Sequence, residues 1–189
     1  MKRHVGKKKP VPLAFKPDLD EAAKRWDAFY AGDMIDRPIV CVTAPKDGAK
    51  LVKGSDYYER AHGDLDDVIE RGLAAGENTF YGGEAIPAFW LSFGPDEVAV
   101  FTGAELRWSD DSRDTNWSAP YVDDWSKALP LSLKADHPLW RRMLDFYRRA
   151  ADRLAGKMLL TPPRPPHQHG PPRRHQRPAA AVHGPHRAA

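Results

Sequence analysis

The sequence predicts an α/β protein with parallel strands, followed by a tail that takes no part in the fold. Three observations lead there. An apolar, β-branched run at 38–43 is too continuous to alternate, so it reads as a strand buried on both faces. A strongly amphipathic helix spans 137–155, and a second apolar run at 157–161 follows it directly. Strand, helix, strand in that order is how a parallel sheet is built.

The elements can be justified in turn. The basic start (Lys2, Arg3, Lys7, Lys8, Lys9) runs into Pro10 and Pro12 instead of an apolar stretch, so 1–17 is expected to be a disordered leader. Asp18 caps a helix over 19–30 with Ala22, Trp26 and Phe29 on its inner face, and Gly32 ends it. Residues 37–43 form the buried strand, with Cys41 as an inert, buried thiol. Ser55 caps a second helical region whose core stripe is Leu65, Val68, Ile69 and Leu73, closed by Gly76.

Residues 79–125 carry four of the six Trp with a dense set of Phe and Tyr. Within them, 85–93 and 98–102 read as short strands or extended segments, and 109–124 as a polar loop. Asp136 and Pro138 open the last helix, with Leu139, Met143, Leu144, Tyr147, Ala151 and Leu154 facing the core and Gly156 just beyond its end. His62 and His137 are placed at helical starts, as capping or surface residues.

The segment 164–189 contains only Arg, Pro, His, Gln, Gly, Ala and Val, seven types whose codons begin with C or G apart from two of the six for Arg. Reading a GC-rich gene one base out of phase yields this alphabet. Re-encoding the segment and shifting it by one base gives, without a stop, Met, Leu and Ile at helical spacing behind an Asn or Asp cap. The segment is therefore expected to be disordered, out-of-frame translation beginning at the Pro162-Pro163 codons, with 1–163 as the authentic body. Setting aside its five Arg leaves 24 basic against 26 acidic residues, so the pI near 9.0 does not argue for a nucleic-acid partner. His167 and His169 resemble a metal pair but read as solvated side chains. A lone cysteine and no long apolar run point to a cytoplasmic protein with no membrane partner.

Candidate chemistry is sparse. Glu84 follows Gly82-Gly83 and precedes an apolar run. It reads first as a loop carboxylate, and second as an acid or base whose pKa is raised in a dry site. Asp110, Asp111, Asp114 and Asn116 offer hard oxygen ligands for a divalent cation, but their spacing misses the EF-hand pattern and a turn that caps its own backbone fits better. Trp90, Trp108 and Trp117, with Asp111 and Asn116, are the candidates for binding a sugar or flat ring, set against simple packing. No metal or cofactor is expected.

Asp36-Arg37-Pro38 before the first strand, and Arg153-Leu154-Ala155-Gly156-Lys157 leading into 158–161, resemble the uroporphyrinogen decarboxylase-like superfamily of decarboxylases and cobalamin-linked methyltransferases. The resemblance covers most of 20–163. It implies a partial (β/α)8 TIM barrel, of which 18–163 is the N-terminal portion, and a small-molecule substrate bound at the C-terminal ends of the strands in a full-length parent. Such barrels take about 250 residues, so this portion is expected to be inactive alone. Ile39-Val40-Cys41 stands where the decarboxylase would carry its Arg-rich glycine motif, which argues against a porphyrinogen substrate. The methyltransferases' His/Cys zinc site belongs to the later half of the barrel.

Overall fold

The computed structural model describes residues 11–109 and 111–162; the segment 164–189 and the first ten residues lie outside the described residues. The architecture is mixed helix and strand. Its three two-stranded sheets are separate, and none closes among the described residues.

The chain enters the fold earlier than its composition implies. Residues 11–17 were expected to belong to a disordered leader, yet Leu13 and Lys16 are buried. Ala14 N–H donates to Gly156 O at 2.8 Å and Phe15 N–H to Lys157 O at 3.3 Å. The Lys16 ammonium donates to Asp18 Oδ2 (3.0 Å), Tyr81 O (3.0 Å) and Gly83 O (2.7 Å), which uses its three protons and makes its burial tolerable. Helix α1 (Leu19–Tyr30) follows, with the predicted bounds. Asp18 takes the N-cap position, but its side chain makes no cap bond. Leu19 and Ala22 are buried, whereas Phe29 is more than half exposed and rests edge-on against Trp26.

Strand β1 (Cys41–Pro45) pairs antiparallel with β2 (Thr79–Gly83), with Cys41 opposite Gly83. Every residue of β1 is exposed, Cys41 included, so the buried-strand expectation is corrected. A β-branched run suits any pleated surface, and here it forms the exposed strand of a two-stranded ribbon whose other strand, β2, is half-buried. Asp56 caps α2 (Tyr57–His62) through a reciprocal capping box with Glu59, one residue beyond the predicted Ser55. His62 closes this helix instead of opening one, packed on Tyr58 and Trp108.

Asp64 caps α3 (Leu65–Glu77), whose Leu65, Val68 and Ile69 are buried as predicted. Gly76 lies inside this helix and does not end it. It and Gly72 are packing positions: a Cβ on Gly76 would come within 3.2 Å of Met158 Sδ, and one on Gly72 within 2.0 Å of the Phe89 ring.

Phe89 belongs to β3 (Ala88–Trp90), which pairs in parallel with β6 (Leu159–Thr161). The intervening helix α6 (Pro138–Leu154) packs Met143, Phe146, Ala150 and Leu154 into the core. That stripe is rotated from the predicted one, since Ala151 is exposed and Leu144 only half-buried. Phe146 stacks on Phe93 (6.3 Å, 8°) and meets Phe89 edge-on (6.0 Å, 87°). Across the outer faces of α3 and α6, Arg149 and Arg153 pair with Asp66 and Glu70. β3–α6–β6 is thus the one parallel unit among the described residues.

Between β3 and α6 two expectations fail. Residues 98–102 were read as a short strand or extended segment, but α4 (Glu97–Phe101) is a short helix, because a five-residue apolar run carries no period that separates these. The polar stretch read as a loop forms a hairpin of β4 (Leu106–Ser109) and β5 (Ser112–Ser118), bulged between Arg107 and Ser109. One short helix, α5 (Trp125–Ala128), follows, and His137 then caps α6 with Nδ1 accepting Leu139 N–H. No helix among the described residues is long and apolar enough to cross a membrane.

Gly72 gives a test of this packing. In an ordinary helix Gly→Ala stabilises by about 1 kcal/mol. Here the added methyl overlaps the Phe89 ring, so Gly72→Ala should destabilise by about 1–3 kcal/mol. A lowered urea midpoint at unchanged slope is the expected readout, and a raised midpoint would show that the α3–β3 contact is looser than described.

Candidate functional site

Two buried carboxylates flank β3, one before it and one after it. Gly83 sets up the first. Its φ is +60°, and a Cβ there would lie 2.1 Å from Val40 O, so only glycine lets the two backbones approach. The following Glu84 N–H donates to Val40 O at 2.8 Å, and the side chain, 1% exposed, turns inward. Arg37 grips it with both guanidinium nitrogens at 2.7 Å, and Val40 N–H donates to Oε2 at 2.9 Å. Arg25 lies 3.6 Å from Oε1 and is itself held by both oxygens of Asp36 at 3.0 Å. Trp26 Nε1 donates to Glu84 O, joining α1 to the same point.

These bonds, Arg37 first and the Val40 amide second, hold the Glu84 carboxyl below the usual glutamate range despite its burial. A raised pKa is therefore not what this environment produces. Glu84 is a fixed anion that clasps three chain segments together.

The second constellation lies beyond the C-terminal end of β3. Glu97, 3% exposed, accepts Phe93 N–H at 2.7 Å through Oε2. Asn116 of β5 is also buried, and its Nδ2 donates to Phe93 O at 2.5 Å. Its Oδ1 has no partner, a buried acceptor left open. Gly94 (φ +124°) permits this approach, since a Cβ there would sit 2.1 Å from Asn116 Nδ2. Ser118 N–H and Oγ both donate to Asp96 Oδ2, at 2.7 and 3.0 Å. On the neighbouring strand the Tyr147 hydroxyl donates to Thr161 O at 2.5 Å, and Thr161 Oγ1 donates to Phe89 O at 3.0 Å.

Burial raises the Glu97 carboxyl above the usual glutamate range, against the opposing bond from Phe93. Burial, with the Glu97 charge second, pushes the Tyr147 hydroxyl up to about 12. Glu97 is thus a carboxyl whose protonated form burial favours. It is suited to donate a proton, and Tyr147 remains a neutral donor throughout the physiological range.

The remaining sequence candidates scatter. Trp90 ends β3, beside the second constellation, and is 51% exposed. Trp117 projects from β5 at 43% exposure. Trp108 packs edge-on against Tyr58 (5.3 Å) and belongs to the α2 contact with the hairpin. Asp111 accepts Ser109 Oγ at 2.6 Å at the hairpin turn, where a capping role was expected, and Asn116 points inward away from it. Asp110 lies outside the described residues, as do His167 and His169. Among the described residues no three His, Cys, Asp or Glu side chains gather as metal ligands.

Sequence reasoning passed over Glu97, Tyr147 and Lys16. Glu97 precedes an apolar run as Glu84 does, but it stands beside Asp96 and reads as part of a polar turn after Gly94-Pro95. No protein-family model matches the chain, and neither a curated protein nor a solved structure matches it.

The two glutamates should leave opposite marks on stability. Glu84, with its folded pKa depressed, contributes stability that is present above the ordinary glutamate range and lost as pH falls below it. Glu84→Gln should therefore destabilise at neutral pH by about 2 kcal/mol, below the 3–5 of a fully buried pair because Arg37 is partly exposed. It should also flatten the acid limb. Glu97, with its folded pKa raised, costs stability as pH climbs through the span just above that range. Glu97→Gln should raise neutral-pH stability and remove that fall. Thermal melts from pH 3 to 8 read both, and the same slope change in the two variants would refute the assignment.

Proposed function

We propose that residues 18–163 are the N-terminal portion of a uroporphyrinogen decarboxylase-like barrel protein of lyase or methyltransferase ancestry, cytoplasmic and acting on a small molecule. The observation that supports this reading is the parallel pairing of β3 with β6, reached through α4, the β4–β5 hairpin, α5 and α6, with α6 packed on the pair. Parallel strands with a helix packed on them are what a (β/α)8 barrel also contains, and here α4, the hairpin and α5 would be an insertion into that repeat. The proton-holding Glu97 lies in the loop-side cluster beyond the C-terminal end of β3, the side on which such barrels bind substrate. In this reading the chain alone is inactive, because the strands that would complete the sheet come from codons beyond Pro163.

The Trp-rich segment supports a second reading, a sugar-acting or sugar-binding α/β protein, through the half-exposed rings of Trp90 and Trp117. A glycan-array screen of the full-length parent separates the two, since saturable glycan binding lost in Trp117→Ala would favour the sugar reading.

Sequencing the gene across the Pro162-Pro163 codons and beyond tests the first reading. Removing one base there should open a frame of roughly a hundred codons or more, as the about 250 residues of such a barrel require. The restored protein should carry its remaining catalytic groups largely beyond residue 163. Stops soon after the shift would overturn the proposal.

A further inference from the structure

A pocket of about 440 Å³ lies between α4 and the segment that follows the hairpin, away from the α3–α6 core. Its walls are mostly apolar and include Pro95, Val98, Tyr121, Trp125 and Leu131. The volume is within the range of small-molecule sites, where a few polar groups fix a ligand in an apolar cleft. Asp96 is the one charged side chain in the lining.

Three features of Asp96 bear on what the pocket could bind. Its Oδ2 accepts both Ser118 donors, which fixes the carboxylate in place. Its Oδ1 accepts no hydrogen bond among the described residues, although Asp96 takes the N-cap position of α4. Among the described residues no Lys or Arg pairs with it, as arginines do with Glu84, Asp36, Asp66 and Glu70. Lys134 packs beside Gly103 and Tyr121 but does not line the pocket. The Tyr121 and Thr102 hydroxyls bond each other at 2.7 Å, so they add a neutral polar point and no charge.

We propose that this pocket binds a small organic cation with an apolar body, an aryl- or alkylammonium. The ammonium would meet the Asp96 carboxylate, and the apolar body would lie against Trp125 and Tyr121, whose ring faces attract cations and apolar groups alike. A fixed carboxylate without a basic partner supplies the charge complement, and the aromatic wall supplies the area. Asp96 adjoins Glu97, but neither Glu97 nor Tyr147 lines the pocket, so the cation preference is tested apart from the barrel reading.

The test uses the full chain and three probes of one shape: phenethylammonium, phenethyl alcohol and phenylacetate. Binding is read by calorimetry and by tryptophan fluorescence. The cation should bind saturably, at least tenfold tighter than the alcohol, with the anion weakest. Asp96→Asn should erase the preference for the cation while leaving the alcohol's affinity unchanged. Trp125→Ala, a change at an exposed side chain, should weaken the cation severalfold and leave the melting temperature in place. Equal binding of cation and alcohol, a cation preference that survives Asp96→Asn, or no saturable binding at millimolar probe would each overturn the proposal.

Discussion

The arrangement depends on how closely β3 lies against α3. A strand of three residues has little hydrogen bonding with which to hold itself, and among the described residues β3 has one neighbouring strand. Its position is fixed by Phe89, whose ring occupies the space that a side chain on Gly72 would fill. Phe146 closes on that ring from α6, and β6 is carried into parallel register by the same helix. Because the core is packed to contact, the direction of β3 then decides where the residues on either side of it go.

That placement explains why two glutamates on one short stretch of chain behave so differently. Glu84 enters from the side where α1 and the lead into β1 converge, and meets two arginines and a backbone amide. Glu97 enters on the other side, against Phe93 and Asn116, where among the described residues no cation comes within ion-pair distance. Both are nearly inaccessible, so burial alone does not set their charge. The partner does.

How much of this was legible beforehand depends on the kind of signal. Helix α1, the core stripe of α3 and the extent of α6 were readable because periodicity and caps are local. The rotation of the α6 face was not, since Phe146 is inside by virtue of two rings far away in sequence. The exposed β1 misled because a β-branched run says nothing of what covers it. The hairpin of β4 and β5 was hidden by polar residues that cross-strand pairing tolerates. At the site, Asp36 and Arg37 stood out as a signature before a strand, but their task of holding Arg25 and Glu84 needs three segments to meet. The burial of Lys16 was invisible for the same reason: its acceptors, Tyr81 and Gly83, lie more than sixty residues away.

Lys16 has a practical consequence. Amine-reactive reagents modify lysines at a rate set by access to an unprotonated, unengaged nitrogen. The Lys16 nitrogen is enclosed and spends its three protons on two carbonyls and a carboxylate, while Lys24 and Lys127 stand in solvent. Its acylation therefore requires the start of the chain to leave β2. Mass-spectrometric footprinting at this one side chain would report the opening of the N-terminal segment separately from the rest of the fold.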